Sequence, residues 1–253
     1  MRQKIEINYG TTSKLEELTS SSSSMSTFRI FPKTRFWLAS NREQIKGAMY
    51  YNEAQTLRIF GSPDAVEVFL EDINITPKYI SLQDESLDIL ARFVESERKR
   101  LMMYRLVMSK KELLVSSAHN IRKLEKQDLQ NAFAVFRAAE SEDWGTTDSV
   151  NLPFDDNNRW YGLEKNGVLV SVCWNQVYAH GGHVAFIATH PEFQNQGFAS
   201  SLLKYALSDN FRRNDFSVIH VREDNGPALH CYEKIGYRKH FRFSTLVEPR
   251  MKS

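Results

Sequence analysis

Apolar positions along the chain fall into two spacings that alternate in blocks. In the first block they form the short runs Arg35–Ala39, Ala48–Tyr51 and Thr56–Phe60, separated by the polar turns Ser40–Gln44 and Asn52–Gln55. Runs of this length and composition predict strands. The spacing then changes. Val66, Phe69, Leu70 and Ile73 lie three and four apart behind Ser62, a plausible N-cap, and Pro63, which suits a first helical position; this predicts a helix over Pro63–Ile73. A strand over Lys78–Leu82, a helix over Glu85–Val94 and a strand over Leu101–Met108 complete an order β-β-β-α-β-α-β.

A second block repeats the scheme. Asn120–Leu124 reads as a strand, and Leu129–Ala139 as a helix entered through Glu125–Asp128. Strands Trp160–Glu164 and Val168–Trp174 flank Lys165-Asn166-Gly167, and Asn-Gly favours a tight hairpin because both residues tolerate positive φ. Val184–Thr189 is the next strand. A turn leads into a helix through Leu202, Leu203, Ala206 and Leu207, a strand covers Phe216–Val221, and Pro227 opens a helix. In that helix Ala228, Cys231, Tyr232 and Ile235 share a face and Gly236 is its C-terminal cap. Arg242–Val247 closes the second sheet. The shared order of elements suggests a duplication. It divides the chain into an N-terminal segment (1–27), a first domain (28–115) and a second (116–253).

Composition narrows the picture only slightly. At 253 residues the chain suits two modest domains. The serine run at 20–24 cannot bury a core, and what precedes it reads as a short amphipathic piece. No apolar run reaches the roughly 20 residues a bilayer requires, and MRQKIEINYG lacks the apolar core of a secretory signal. Cys173 and Cys231 give neither a disulfide framework nor a metal spacing. We therefore expect a cytoplasmic protein without a metal or a membrane partner. A net charge of +2 gives no reason to expect nucleic acid.

Chemistry enters at the turn His190-Pro191-Glu192-Phe193-Gln194-Asn195-Gln196-Gly197-Phe198-Ala199, between a strand and a helix. Small residues let the backbone approach a ligand, and a helix N-terminus presents unpaired amides at the positive end of its dipole. Such a turn suits a phosphorylated ligand, although many α/β proteins carry similar turns as plain architecture. A second motif follows: Asn225-Gly226-Pro227-Ala228-Leu229-His230-Cys231-Tyr232-Glu233-Lys234-Ile235-Gly236-Tyr237. Together, His-Pro-x-Phe-Gln-x-x-Gly-x-Ala and Asn-x-x-Ala-x-x-x-Tyr-x-Lys-x-Gly-Tyr resemble the GNAT superfamily of acyl-CoA-dependent N-acetyltransferases. The resemblance covers about the last 130 residues, with Ile121-Arg122-Lys123-Leu124 similar to that family's first strand.

The resemblance implies tandem α/β domains, each a twisted mixed sheet flanked by helices with a splayed central strand pair. It implies acetyl-CoA as cosubstrate, transferring its acetyl group to a primary amine. Ile187, Ala188 and Thr189 would pair through their backbone with the pantetheine arm, Gln194 and Asn195 would shape the turn, and the amides from Gln196 through Gly197, Phe198 and Ala199 to Ser200 would take the pyrophosphate. Asn225 would hold the pantetheine and Tyr232 would protonate the leaving thiolate. Several relatives carry a glutamate five residues before the asparagine; here that residue is His220, which can serve as a base because imidazole titrates near neutrality. A strand histidine is more often half-buried and hydrogen-bonded than catalytic. His180 and His183, beside Gly181-Gly182, are alternative bases.

Glu140–Gly145 corresponds to the family's variable cover of the acceptor pocket, where acidic side chains and Trp144 would suit an amine cation. It reads equally as a solvated acidic loop. In the first domain the matching turn is Gly61-Ser62-Pro63-Asp64, where Pro63 removes an amide and Asp64 adds negative charge; a degenerate, structural copy is expected. Two readings compete with a small-molecule enzyme: a non-catalytic acyl-CoA-binding regulatory module, and an acetyltransferase of a protein or tRNA. A monomer or weak homodimer fits a chain that carries two domains.

Overall fold

The computed structural model describes residues 6–9, 35–41, 44–51, 55–110, 119–139, 154–178 and 181–252. The serine run at 20–24, the acidic segment at 140–145 and His180 lie outside the described residues. Contacts divide the chain into two compact units. One holds the described residues up to Arg105, together with Arg222–Asp224 and the chain from Lys239 onward; the other holds Leu106–Val221 and Asn225–Arg238.

The first unit contains β1 (Glu6–Tyr9), β2 (Arg35–Asn41), β3 (Gln44–Tyr51), β4 (Thr56–Gly61), α1 (Pro63–Glu71), β5 (Tyr79–Gln83), α2 (Leu87–Phe93), β6 (Val94–Ser96) and most of β7 (Lys99–Ser109). The expected strands and helices are present, and β1, read from sequence only as an amphipathic piece, is a strand antiparallel to β2. Leu57 and Ile59 of β4 alternate onto the face covered by Val66, Phe69 and Leu70 of α1 and by Leu90 of α2, which forms one core. Ser62 stands at the N-cap position of α1 and Pro63 follows it, as the sequence indicates, although the Ser62 side chain makes no capping bond.

The second unit contains β8 (Asn120–Lys123), α3 (Leu129–Ala139), β9 (Asn158–Lys165), β10 (Val168–Tyr178), β11 (Gly181–Thr189), α4 (Phe198–Asn210), β12 (Phe216–Arg222, its last residue grouped with the first unit) and α5 (Gly226–Ile235). Its strands run in the order β12-β11-β10-β9-β8. All neighbours are antiparallel except β11 and β12, which are parallel. The β9–β10 turn has positive φ at Asn166 (53°) and Gly167 (76°), the pair of left-handed residues that the Asn-Gly dipeptide favours. Ahead of α3, the Glu125 backbone N–H donates to Asp128 Oδ2 at 2.7 Å in a capping box. Leu129, Ala132, Phe133 and Val135 then bury one face of α3 against Trp160, Val172 and Ala188. No helix of the described residues is long and apolar enough to cross a membrane.

The last long strand, β13 (Arg238–Val247), departs from expectation. Its sequence pattern assigns it to the second sheet, yet it runs antiparallel to β5, with Phe243 opposite Gln83 and Val247 opposite Tyr79. Leu246 enters the core beneath α1, while Phe243 and Val247 pack with Leu101 and Met103 on the opposite face. Alternation dictates which side chains turn inward but not which strand edge receives them. A short β14 (Arg250–Met251) pairs with β6.

On the other face of the second sheet α4 is fastened to β9. Asp209 Oδ2 accepts hydrogen bonds from the Arg159 guanidinium and from Tyr161 Oη, the latter at 2.5 Å. A Cβ on Gly182 would lie 1.7 Å from Asn210 Nδ2, so glycine there is what allows the end of α4 to sit on β11. Burial would raise the pKa of Asp209, but the hydrogen bonds from Tyr161 and Arg159 outweigh it and hold the carboxyl below its usual range. A depressed folded pKa contributes stability that is present above the unfolded value, about 3.9, and is lost as pH falls through the folded one. Asp209→Ala, which leaves buried Arg159 without its carboxylate, should cost about 3 kcal/mol at pH 7. In urea unfolding the gap from wild type should narrow below about pH 4; a gap independent of pH would contradict the assignment.

Candidate active site

The parallel pairing of β11 with β12 is short. It runs from Gly182 opposite Ser217 to Val184 opposite Ile219 and then stops, although both strands continue. The break has a visible cause on the other edge of β11. Against β10, Asn175 faces Val184 while Trp174 faces Phe186, so Ala185 is an extra residue, a bulge that bends the strand. Beyond it, Phe186–Thr189 remain paired to β10 and, like Ala185, have no registered β12 partner. Alternate N–H and C=O groups of that stretch therefore point toward the gap, a template for an extended ligand. Ile187, Ala188 and Thr189, the residues read from sequence, occupy this stretch.

The chain then turns at the mouth of the gap. Pro191–Phe193 form one 3₁₀ turn, and Gln194 Nε2 donates back to the Thr189 carbonyl at 3.2 Å, closing the loop on the strand end. Asn195 (φ 60°) and Gly197 (φ 77°) adopt the left-handed conformation, and a Cβ on Gly197 would meet nothing within 4 Å. Gln194, Asn195, Gln196 and Gly197 are exposed, whereas Phe198 is buried and anchors the start of α4. Ser201 N–H makes the first helical bond, to the Gly197 carbonyl at 3.0 Å. The amides of Phe198, Ala199 and Ser200 thus stand in the first turn, where no carbonyl one turn earlier in the helix can receive them. The opening is accessible, positively polarised and free of carboxylates between Gln194 and Ser200, so its residues fit a pyrophosphate.

Sequence reasoning missed Lys165. Its Nζ donates to Gln196 Oε1 at 2.8 Å and lies 5.6 Å from the ring centroids of both Phe193 and Phe198. It comes from the β9–β10 hairpin, 31 residues earlier in the chain, and nothing in its local sequence separates it from any other hairpin lysine.

The first unit shows the contrasting case. There β4 and β5 are paired from Thr56–Tyr79 to Ile59–Leu82, leaving only Phe60 and Gly61 of β4 beyond the last pair. Ser62 N–H is spent on the Lys46 carbonyl at 2.9 Å, Pro63 has no N–H, and Asp64 stands in the first turn of α1.

Asn225 caps α5, its Oδ1 accepting from Ala228 N–H at 3.2 Å, so its Nδ2 is the end that can meet a ligand carbonyl. Ser200 Oγ and Cys231 Sγ share a contact of 3.1 Å, which ties the start of α4 to α5 one residue before Tyr232. Tyr232 is 8% exposed and packs edge-on against Tyr237, with ring centroids 6.2 Å apart. Tyr237 is held in turn by Ser217 at 2.8 Å. His220 is placed on β12, one residue past the last β11–β12 pair, and is half-buried beside His183 with ring centroids 5.1 Å apart. His183 is not the loop residue its Gly-Gly neighbours suggest; β11 begins at Gly181, and His183 is buried within it. Among the described residues no three His, Cys, Asp or Glu side chains converge as a metal group would require.

A mixed sheet flanked by helices, with one parallel pair that separates in front of a helix N-terminus, defines a mixed α/β fold that recurs among solved structures. One is a Drosophila protein (TM-score 0.67, 14% identical, covering 96% of this chain and 98% of that one). Another is a GCN5-related N-acetyltransferase from Sphaerobacter thermophilus (TM-score 0.60, 10% identical, 97% and 96%). At these identities the likeness is one of fold. The acetyltransferase (GNAT) family model matches residues 119–237. An acetyltransferase of Yersinia pestis (strain Pestoides F) is 31% identical over 75 residues, 29% of this chain and 53% of that protein. The chain thus spans about half the length of the curated relatives it matches.

If the first turn of α4 receives a pyrophosphate, a carboxylate placed there should repel it. Ala199→Glu should weaken acetyl-CoA binding by about tenfold or more, roughly 1.4 kcal/mol, in calorimetry at low salt. Unchanged affinity would remove the loop from the site.

Proposed function

We propose that residues 119–237 transfer an acetyl group from acetyl-CoA directly to a primary amine. The observation that carries this reading is the gap itself. A strand edge left unpaired over Ala185–Thr189 opens beside an amide-lined helix N-terminus, which suits an extended amide-bearing arm ending in a pyrophosphate. Backbone amides within Ile187–Thr189 would pair with that arm and polarise the thioester carbonyl, while Asn225 and Lys165 would add donors at either side. The amine nitrogen attacks the carbonyl carbon, the C–S bond breaks and the thiolate leaves. Tyr232 can give that sulfur its proton, since a phenol near 10 is only slightly less acidic than a thiol. The amine proton would pass to a base, and His220, beside the end of the β11–β12 pairing, would take that part.

The first unit supports a structural role by contrast, since its equivalent strands stay paired almost to the turn, the Ser62 amide is spent and Pro63 has none. One cofactor per chain follows.

Tyr232→Phe keeps the ring and removes the proton. It should lower kcat for thiol release by about 10²-fold or more while acetyl-CoA affinity stays within about twofold. The assay is release of CoA thiol with acetyl-CoA and a panel of polyamines, aminoglycosides, amino acids and peptide N-termini. A wild type that binds acetyl-CoA but acetylates no amine would favour a regulatory acyl-CoA-binding module. Activity toward peptides or tRNA alone would identify a macromolecular acceptor.

A further inference from the structure

A row of polar side chains crosses the face of the second sheet that α3 covers, and the chemistry above leaves most of it without a task. It starts at Asp155, whose Oδ1 accepts from the backbone N–H groups of Asn157 and Asn158 at 2.8 and 2.9 Å. Asn158 Nδ2 donates to both Asp155 oxygens, at 3.0 and 2.9 Å. Asn158 Oδ1 accepts from Trp174 Nε1 at 3.2 Å and from Gln176 Nε2 at 3.0 Å. Gln176 Oε1 meets His183 Nδ1 at 3.2 Å, and the His183 ring lies 5.1 Å from that of His220, centroid to centroid. Asn158, Gln176 and His183 are 8%, 0% and 3% exposed, so the row runs from Asp155 at the surface into a built interior network.

The two ends of the row decide every orientation within it. An indole N–H can only donate, so the atom of Asn158 facing Trp174 is its oxygen, and its NH₂ faces the carboxylate. Gln176 must then donate to that oxygen, which turns its own carbonyl toward His183. A carbonyl can only accept, so His183 Nδ1 carries a proton, and in the neutral ring the lone pair is on Nε2.

α3 carries one charged side chain, Arg137, set over the Phe133 ring at 5.2 Å. On β9, Arg159 points to the opposite face, where α4 supplies Asp209; β10 and β11 bring none. β12 ends at Arg222, bonded to Asp224 at 2.9 Å.

We propose that His183 and His220 act as one proton-accepting pair at the fork of β11 and β12, with Gln176, Asn158 and Asp155 as positioning residues that fix the Nδ1–H tautomer of His183. The proposal rests on the acetyl-transfer reading. His220 takes the proton that leaves the amine nitrogen as its lone pair attacks the thioester carbonyl carbon, and His183 Nε2 receives or shares it. The resulting imidazolium is stabilised through Nδ1–H and Gln176 until the proton returns to solvent. Asp155, Asn158 and Gln176 thereby acquire a function.

The test combines ¹⁵N spectra of the histidine rings from pH 5 to 9 with thiol release from acetyl-CoA, using spermidine, benzylamine and an alanyl peptide as probe amines. Wild-type His183 should show the Nδ1–H form when neutral; an Nε2–H form would overturn the proposal without any variant. Gln176→Met should release that preference and lower kcat at least about tenfold, with KM for acetyl-CoA unchanged. Gln176→Glu, which sets a carboxylate against the ring, should move the His183 titration and the acidic limb of kcat upward together by about one pH unit. A limb that stays in place while His183 shifts would overturn the pair's role, as would release with none of the three amines. Acetyl-CoA affinity on the same samples separates the two readings. Its absence in wild type would sink the cofactor site while leaving the tautomer result standing.

Discussion

The structure of the candidate site depends on one parallel ladder ending early. β11 and β12 share three registered pairs and then separate, because Ala185 is one residue too many for the β10 edge. Unpaired backbone groups are costly to bury, and a sheet normally satisfies them with the next strand. Here the separation leaves a strand edge facing outward in front of the first turn of α4. Everything proposed for this protein uses that gap: the arm that could fill it, the amides at its mouth, Tyr232 on the adjoining helix and the histidines at its apex. In the first unit the same element order has an almost complete β4–β5 ladder, and its turn offers a proline and an aspartate.

The gap stays open only if its walls are fixed independently of a ligand. On one face Trp160 and Trp174 stack beneath α3, nearly parallel at 5.3 Å, with Phe186 edge-on to both. On the other, α4 is held by the Arg159–Asp209–Tyr161 cluster and by the close seating of Asn210 on Gly182. α5 is joined to α4 through Ser200 and Cys231. Loop residues Gln194–Gly197 are exposed, but the Gln194 bond to Thr189 and the buried ring of Phe198 fix both ends of the turn. This arrangement places adaptable backbone on rigid supports, which is what electrostatic preorganisation requires.

Much of this was legible in the chain. Periodicity located nearly every helix and strand, the Asn-Gly hairpin appeared where expected, and the two motifs placed the loop, Asn225 and Tyr232 on the right elements. What escaped reading has physical reasons. β13 lies in the first sheet because alternation identifies a strand's inner face but not its partner. The bulge at Ala185 leaves no mark in composition, since it is a relation between two strands. Lys165 and the row from Asp155 to His183 are assembled from three strands and a loop, so no sequence window contains them. His183 was read as an alternative base in a loop beside two glycines, and its burial within β11 changes what its ring can do.

Amide hydrogen exchange, read residue by residue with and without acetyl-CoA, tests the central claim most directly. The account predicts that saturating acetyl-CoA slows exchange at alternate residues of Ala185–Thr189 and at Phe198–Ser200, while Thr56–Asp64 of the first unit is unaffected. Binding that leaves Ala185–Thr189 unprotected, or that protects the first unit's turn instead, would contradict it.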